Sequence, residues 1–162
     1  MATVEILDLL EYSFPIFTER LRKQKEPVEQ TLKFAEKIKS SDGIIIVTPE
    51  YNGGYPASLK NVIDLLYYEW KRKPVSFATV SSTIYGGTQV ITSLQFSLWK
   101  IGAWTVPVEF SVSKVQETFD EQGNPKDKAE TDKHAEASIN ELLWCIDAKK
   151  NASGTDKYLL AG

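Results

Sequence analysis

Blocks of apolar and polar residues predict alternating strands and helices along this chain. Four consecutive branched apolar residues, Ile44–Val47, predict a strand buried on both faces, as in a parallel sheet. Pro49 ends this strand, because proline cannot continue a central strand. Pro56 then opens a helical pattern that runs to about Lys71, and proline suits the first turn of a helix. Together these residues predict a strand, a loop and a helix in succession.

A second strand, loop and helix follow in the same order. Val75–Val80 predicts the strand, and the small residues of Ser81–Thr88 predict the loop. The helix from about Gln89 to Ile101 places four apolar residues on one face: Val90, Leu94, Leu98 and Ile101. Gly102 ends this helix, as glycine commonly does just past a helical C-terminus.

Four further elements complete the predicted secondary structure. Thr3–Leu7 alternates polar and apolar residues, which is typical of a short edge strand. The predicted helix Pro27–Ser40 carries Val28, Leu32, Phe34, Ala35 and Ile38 on one face. Trp104–Val112 predicts a last strand, in which Pro107 indicates an unpaired side or a bulge. A final helix spans about Asp132 to Ala148, with Leu142, Leu143, Cys145 and Ile146 on its apolar side.

Two polar or mixed segments read as loops. In Asp8–Phe17 the apolar residues have two possible roles. They lie against a ligand or a partner subunit, or they pin the loop to the core. These residues are Leu9, Leu10, Phe14 and Phe17. Glu117–Lys128 is polar and contains glycine, so it predicts a surface loop. His134 lies among charged residues and is interpreted as solvated.

Composition is that of one globular domain spanning residues 1–162. The 162 residues are 42% apolar and 25% charged, with a net charge of −3. The acidic balance argues against a nucleic-acid partner. Cys145 is the single cysteine, which excludes an internal disulfide and a cysteine-built zinc site. No apolar run approaches the roughly 20 residues of a membrane helix, and the start does not resemble a signal peptide, so we expect a cytoplasmic protein.

The two loops after the buried strands are the candidate ligand site. In an open α/β sheet, such loops lie at the carboxyl ends of the strands, where ligands bind. Gly86 and Gly87 allow backbone to approach a flat ring or an anion, and amides at a helix start add hydrogen-bond donors. The alternative interpretation is a pair of tight turns with tyrosines as packing residues.

A long, ordered motif in the first loop carries a family resemblance. Thr48-Pro49-Glu50-Tyr51-Asn52-Gly53-Gly54, then Pro56, then Leu59-Lys60-Asn61-Val62-Ile63-Asp64 resembles the NADPH-dependent FMN reductase family. The resemblance covers about residues 3–148 and leaves 149–162 as a tail. It implies a flavodoxin-like α/β fold and homodimers or homotetramers, and Tyr67, Tyr68 and Trp70 suggest a subunit interface.

The resemblance also implies cofactors and site residues. FMN would accept hydride from NADPH or NADH and pass electrons to a small acceptor such as FMN itself, a quinone, an azo compound or chromate. The chemistry belongs to the flavin, so no catalytic side chain and no metal are expected. The implied cofactor-binding residues are Thr48, Pro49, Glu50, Tyr51, Asn52, Gly53, Ser82, Tyr85, Gly86 and Gly87. Lys60 and Asn61 match the helix start, where oligomer contact, loop bracing and ligand contact all remain open.

One part of the family pattern has no counterpart in the sequence. Family members usually open with a central first strand and a Gly-Ser-x-Arg type loop that holds the FMN phosphate. This chain begins at what resembles the second strand and contains no Gly-Ser-x-Arg string. We therefore expect an N-terminally truncated flavodoxin-like sheet with a vacancy, which would expose two rows of unpaired backbone. The run Asp156–Gly162 either fills that vacancy or is a frayed terminus.

Two functions follow from these observations. The first is a flavin-dependent oxidoreductase that resembles NAD(P)H:FMN, quinone or azo reductases. The alternative is a noncatalytic, degenerate member that acts as an interaction subunit, which the missing phosphate loop would favour. The glycine loops and their aromatic residues favour the enzyme, because a purely structural domain has little need of them.

Overall fold

A parallel sheet forms the middle of three layers in the computed structural model, which describes residues 2–152. The strands are β1 (Ile44–Pro49), β2 (Pro74–Val80), β3 (Trp104–Thr105) and β4 (Phe110–Val112). The helices are α1 (Glu29–Ser40), α2 (Ala57–Leu65), α3 (Thr88–Lys100), the single-turn α4 (Val115–Thr118) and α5 (Lys128–Ala152). Helices α1, α2 and α3 cover one face of the sheet, and α5 covers part of the other. The predicted α/β sandwich with a parallel sheet is confirmed.

Strand β2 is the centre of the sheet. It pairs with β1 in parallel from Ile44 opposite Val75 to Pro49 opposite Val80, and it pairs with both β3 and β4 on its other side. Its side chains are buried on both faces, as the apolar run predicts. Phe77 lies in the core shared with α1, α2 and α3, whereas Ser76 faces α5.

The main core lies between the sheet and helices α1, α2 and α3. In α3, Val90, Leu94 and Leu98 are fully buried, at the helical spacing that the sequence predicts. Burying each such side chain contributes roughly 1.5–3 kcal/mol. In α1 the buried residues are Thr31, Phe34, Ala35 and Ile38. The predicted inward positions Val28 and Leu32 are wrong, since both are exposed. Val28 is the extended N-cap residue before the helix, and Leu32 lies off the buried stripe.

Strand β1 is an edge strand within the described residues, which corrects the prediction that both of its faces are buried. Ile46 and Thr48 point into the core, but Ile45 and Val47 are 46% and 69% exposed. These two side chains face the side of α5, which packs mainly on β2 and does not cover them. The outer edge of β1 pairs with no other strand of residues 2–152.

The predicted strand Thr3–Leu7 is wrong, because the segment is irregular and pairs with no strand of residues 2–152. Val4 and Ile6 point to solvent, while Leu7 packs against the core. The two expected rows of unpaired backbone therefore reduce to the single outer edge of β1. The predicted role of Asp156–Gly162 lies outside the described residues.

Two predicted boundaries change for local reasons. Helix α2 ends at Leu65 instead of Lys71, because Leu66 is extended and the Glu69 carboxylate accepts the Tyr67 amide at 2.9 Å. A 3-10 turn, Tyr68–Trp70, then buries Trp70 in the core. The expectation that Trp70 forms an interface surface is therefore wrong.

The predicted strand Trp104–Val112 is divided in two around Pro107. Trp104 lies opposite Pro74, but Phe110 lies opposite Ala78, so the register shifts by two residues between β3 and β4. The predicted bulge or unpaired side is confirmed.

Helix α5 extends beyond the predicted ends. It buries Cys145 and leaves His134 exposed, as expected.

The segment Asp8–Phe17 is pinned to the core in part: of the four apolar residues in the prediction, Leu9 and Phe14 pack on the core, whereas Leu10 and Phe17 are exposed. Leu9, Tyr12 and Phe14 pack against the main core. Asn61 of α2 holds the end of the segment: its Oδ1 accepts from the Phe17 amide at 2.7 Å, and its Nδ2 donates to the Pro15 carbonyl at 2.9 Å. Asn61 therefore braces this loop, while Lys60 pairs with Asp64 along the helix.

Lys73 is a buried cation at the junction between α1 and the sheet. Its side chain is 3% exposed and donates to the carbonyls of Lys39 and Ser41 at the end of α1. Burial, reinforced by the charge of Lys149, lowers the pKa of the Lys73 ammonium to about 8.

None of the helices within residues 2–152 has the length and apolarity to cross a membrane.

The buried lysine predicts a pH dependence of stability. Since its pKa is lower in the folded than in the unfolded chain, folding becomes more favourable as the pH rises from about 8 towards 10.5. We expect the free energy of unfolding of the wild type, relative to Lys73→Met, to rise by about 1 kcal/mol between pH 7 and 9. Urea denaturation at both pH values measures this difference. A difference that is constant or falls with pH would contradict it.

Candidate functional site

The two predicted loops lie side by side at the carboxyl edge of the sheet. The pairing of β1 with β2 places Pro49 opposite Val80, so both strands end at the same level. The first loop leaves β1 after Pro49 and reaches α2, and the second leaves β2 after Val80 and reaches α3. The sheet register therefore brings together the segments that carry the predicted site residues.

A hydrogen bond links the first loop to the start of α3. The Glu50 carboxylate accepts from the Gln89 backbone amide at 3.1 Å. A carboxylate at a helix N-terminus satisfies an otherwise unpaired amide and interacts favourably with the helix dipole. The side chain of Gln89 returns to the first loop, with its Oε1 only 3.0 Å from where a Cβ on Gly53 would lie. Glu50 and Gln89 thus hold the two loops against each other.

The tip of the first loop is a tight turn. Tyr51 and Gly54 exchange backbone hydrogen bonds of 2.8 and 3.0 Å. Asn52 and Gly53 between them have φ angles of 53° and 76°, a left-handed conformation that suits asparagine and glycine. The turn directs Tyr51 outward, and its ring is 63% exposed.

The second loop is packed closely around its glycine pair. Gly86 and Gly87 are buried, with φ angles of 61° and 76°. The Thr79 hydroxyl donates to the Gly86 carbonyl at 2.6 Å and lies 3.0 Å from the hydroxyl of Ser111. A Cβ on Gly87 would lie 3.2 Å from the Thr79 Cβ. Glycine is therefore required here both by conformation and by the lack of space.

The site offers free backbone donors and exposed rings, which is what a flat, polar-edged flavin requires. The amides of Asn52 and Gly53, at the tip of the first loop, donate to no acceptor in the described part of the chain. The amides of Gly86 and Gly87 have no acceptor there either, but both residues are buried. On the second loop, Tyr85 is 68% exposed. Amides can hydrogen-bond the carbonyl and nitrogen edge of an isoalloxazine, while tyrosine rings can cover its face. The residues present fit FMN.

The predicted site residues do not all face the same space. Pro49, Tyr51, Asn52, Ser82 and Tyr85 are exposed at the carboxyl edge. Glu50 and Gly53 are partly buried, and Thr48, Gly86 and Gly87 are buried. The side chain of Thr48 is 2% exposed and lies in the core. Only the backbone of Thr48 can therefore border a ligand.

Sequence reasoning missed the residues that support the loops. Gln89, Thr79 and Ser111 each contact a loop residue, yet they lie in helix or strand segments where the pattern predicts only packing. The polar residues Thr79 and Ser111 within otherwise apolar strands were the available signal.

A cavity of about 200 Å³ beside the second loop is lined by Ser111, Ser113, Glu130, His134 and neighbouring residues.

Known proteins are similar to this chain in sequence. A family model described as NADPH-dependent FMN reductase matches residues 1–117. A quinone reductase of Pseudomonas putida is 31% identical over 77% of this chain and 67% of its own length. An NAD(P)H-dependent FMN reductase of Saccharomyces cerevisiae is 35% identical over 57% of this chain and 51% of its own length.

A solved structure resembles the fold over most of the chain. The flavoenzyme NAD(P)H:(acceptor) oxidoreductase FerB of Paracoccus denitrificans superimposes with a TM-score of 0.66 at 24% identity. The match covers 82% of this chain and 75% of FerB. The molecule is therefore an α/β protein of the flavodoxin-like class, as predicted.

The chain belongs to the NADPH-dependent FMN reductase family. FMN and NAD(P)H are the cofactors after which that family and its curated members are named. The matched stretches span only 27%, 51% and 49% of the lengths of three FMN reductases among these relatives.

The packing around Gly87 predicts a difference between two glycine substitutions. Gly87→Ala and Gly123→Ala both place a side chain at a φ of about 80°, which costs roughly 1–2 kcal/mol. A Cβ at position 123 meets nothing within 4 Å, whereas at position 87 it crowds Thr79. We expect the Gly87 variant to lose about 1–3 kcal/mol more than the Gly123 variant in urea denaturation. Equal losses would show that the second loop is not closely packed.

Proposed function

We propose that this chain binds FMN between its two glycine loops and acts as a flavin-dependent oxidoreductase. Reducing equivalents would come from NADPH or NADH and pass to a small acceptor. The observation that carries the proposal is the meeting of both loops at the carboxyl edge, with unpaired amides and two exposed tyrosines. Membership of the family supports the same cofactor and reaction.

Eight of the ten predicted site residues have a role in binding or positioning under this proposal, and Thr48 and Pro49 form the end of β1 that leads into the first loop. The amides of Asn52 and Gly53 and those of Gly86 and Gly87 would donate to the polar edge of the flavin, and Ser82 adds a hydroxyl beside them. Tyr51 and Tyr85 would cover its faces and exclude water. Glu50 is an internal brace, since its carboxylate already accepts the Gln89 amide. It therefore positions the loops and moves no proton.

FMN itself supplies the redox chemistry when bound, by accepting hydride from a nicotinamide and passing electrons onward. The protein contributes binding, orientation and exclusion of water. As the class of acceptors we propose quinones, azo compounds, chromate or free FMN. A relative named quinone reductase supports the quinones, and a relative named FMN reductase supports free FMN.

Assembly and location are part of the same proposal. We place the protein in the cytoplasm as a homodimer or homotetramer. Exposed aromatic residues on α3 support association, since Phe96 and Trp99 are 60% and 63% exposed and lie 5.9 Å apart between ring centroids.

Titration of FMN into the purified chain, followed by quenching of flavin fluorescence, tests the proposal. We expect saturable quenching, and oxidation of NADPH or NADH by the loaded protein in the presence of a quinone. Tyr51→Ala should weaken FMN binding by roughly tenfold, since stacking on an aromatic side chain contributes about 1–3 kcal/mol.

The matched control is Trp144→Ala, which removes an equally exposed aromatic ring from α5. This part of α5 lies near Gly43, because Ile146 packs there, at the opposite end of β1 from the first loop. The affinity of this variant for FMN should equal that of the wild type. Absence of quenching in the wild type would overturn the proposal. An unchanged affinity in Tyr51→Ala would remove Tyr51 from the site.

A further inference from the structure

A second cleft, of about 380 Å³, lies away from the flavin loops. It is lined by Arg20, Arg22, Tyr67, Tyr68 and Lys71. The two tyrosines follow α2, and Lys71 comes just before β2 begins at Pro74. Because α2 connects two parallel strands, it returns the chain to the amino-terminal edge of the sheet. The cleft therefore lies towards the edge opposite to the two glycine loops.

The guanidinium groups in this cleft are held by aromatic rings. The Arg20 Cζ lies 4.1 Å from the centroid of the Tyr67 ring. The Arg22 Cζ lies 4.9 Å from the centroid of the Tyr68 ring, and its Nη1 donates to the Tyr68 hydroxyl at 2.9 Å. Stacking on an aromatic face fixes the plane of a guanidinium and leaves its edge free to donate. Both arginines are thus oriented before any ligand arrives.

The positive charge of the cleft is not neutralised by its own lining. Arg20, Arg22 and Lys71 line it, and no carboxylate does. The nearby Glu69 accepts the Tyr67 amide and is not part of the lining. The chain as a whole has a net charge of −3, so this concentration of cations is local. Such a cleft attracts anions.

Arg20 also has an unused donor. Its Nη1 is buried and has no hydrogen-bond acceptor in the described part of the chain. A buried guanidinium donor without an acceptor is unfavourable, because it has lost water and gained no partner. An oxyanion in the cleft would supply that acceptor after a small movement of the side chain.

We propose that this cleft binds the phosphate group of a small phosphorylated molecule. Two arginine forks and an ammonium match a tetrahedral dianion, since guanidinium groups pair with phosphate through two parallel hydrogen bonds. The Tyr68 ring is 47% exposed, and the part that Arg22 and Tyr67 leave uncovered can contact a nucleotide base. The size of the cleft suits a small molecule.

Calorimetric titration of the full chain with inorganic phosphate and with AMP, at low ionic strength, tests the proposal. Low salt is required because exposed charges are screened. We expect saturable binding of both. Tighter binding of AMP would assign base stacking to Tyr68, and equal affinities would assign the site to the phosphate alone; both results support it.

Three substitutions connect any binding to the cleft. Arg22→Gln and Arg20→Gln should each weaken phosphate binding by roughly tenfold or more, as expected for the loss of a charge-assisted hydrogen bond. Lys133→Gln removes the same charge from an exposed position on α5 and should change nothing. Arg22 is exposed, so Arg22→Gln should keep the circular dichroism and melting temperature of the wild type. If Arg20→Gln fails to fold, the result for Arg22→Gln alone decides the test.

The outcomes separate this site from the flavin site. Arg22→Gln should bind FMN as the wild type does, because the cleft lies at the opposite edge of the sheet. No phosphate binding by the wild type, or equal affinities in Arg22→Gln and Lys133→Gln, would overturn the proposal. Loss of FMN binding in Arg22→Gln would also overturn it, since the two sites would then not be separate.

Discussion

The parallel pairing of β1 with β2 is the constraint on which the candidate site depends. Six successive pairs, from Ile44 with Val75 to Pro49 with Val80, fix the two strands at the same height. A shift of one residue would reverse the faces of every side chain in β1 and displace the first loop relative to the second. Glu50 reaches the Gln89 amide only because the register places α3 beside the first loop.

The remaining structure stabilises that pairing from both sides. Val75 and Phe77 anchor β2 to the three helices on one face, and Ser76 meets Ser138 of α5 on the other. Lys73 ties the start of β2 to the end of α1 through two carbonyl contacts. Loops carried on such a packed scaffold can hold backbone amides in fixed positions, which is what recognition of a rigid ring needs.

The sequence predicted the elements whose pattern is local. Val90, Leu94 and Leu98 repeat at helical spacing and are buried, and Gly102 ends the helix at a φ of 81°. The glycine loops followed from their position after apolar strands. These inferences needed only neighbours in the chain.

Features that depend on distant partners could not be predicted in this way. The alternating residues of Thr3–Leu7 suit a strand, but a strand also needs a neighbour, and no strand of the described residues pairs with them. Ile45 and Val47 are as apolar as Ile46, and only the placement of α5 leaves them exposed. The stacking of Arg20 on Tyr67 joins residues far apart in sequence. The spacing of apolar and polar residues along the chain does not indicate such a contact.

The outer edge of β1 has a consequence for the handling of this polypeptide. The strand Ile44–Pro49 contains no charged residue, and its row of backbone donors and acceptors pairs on one side only within residues 2–152. Natural sheets protect their edges with lysines, bulges or covering loops, because bare apolar edges recruit strands from other molecules. Within residues 2–152, the outer edge of β1 is therefore open to pairing with a strand of another molecule.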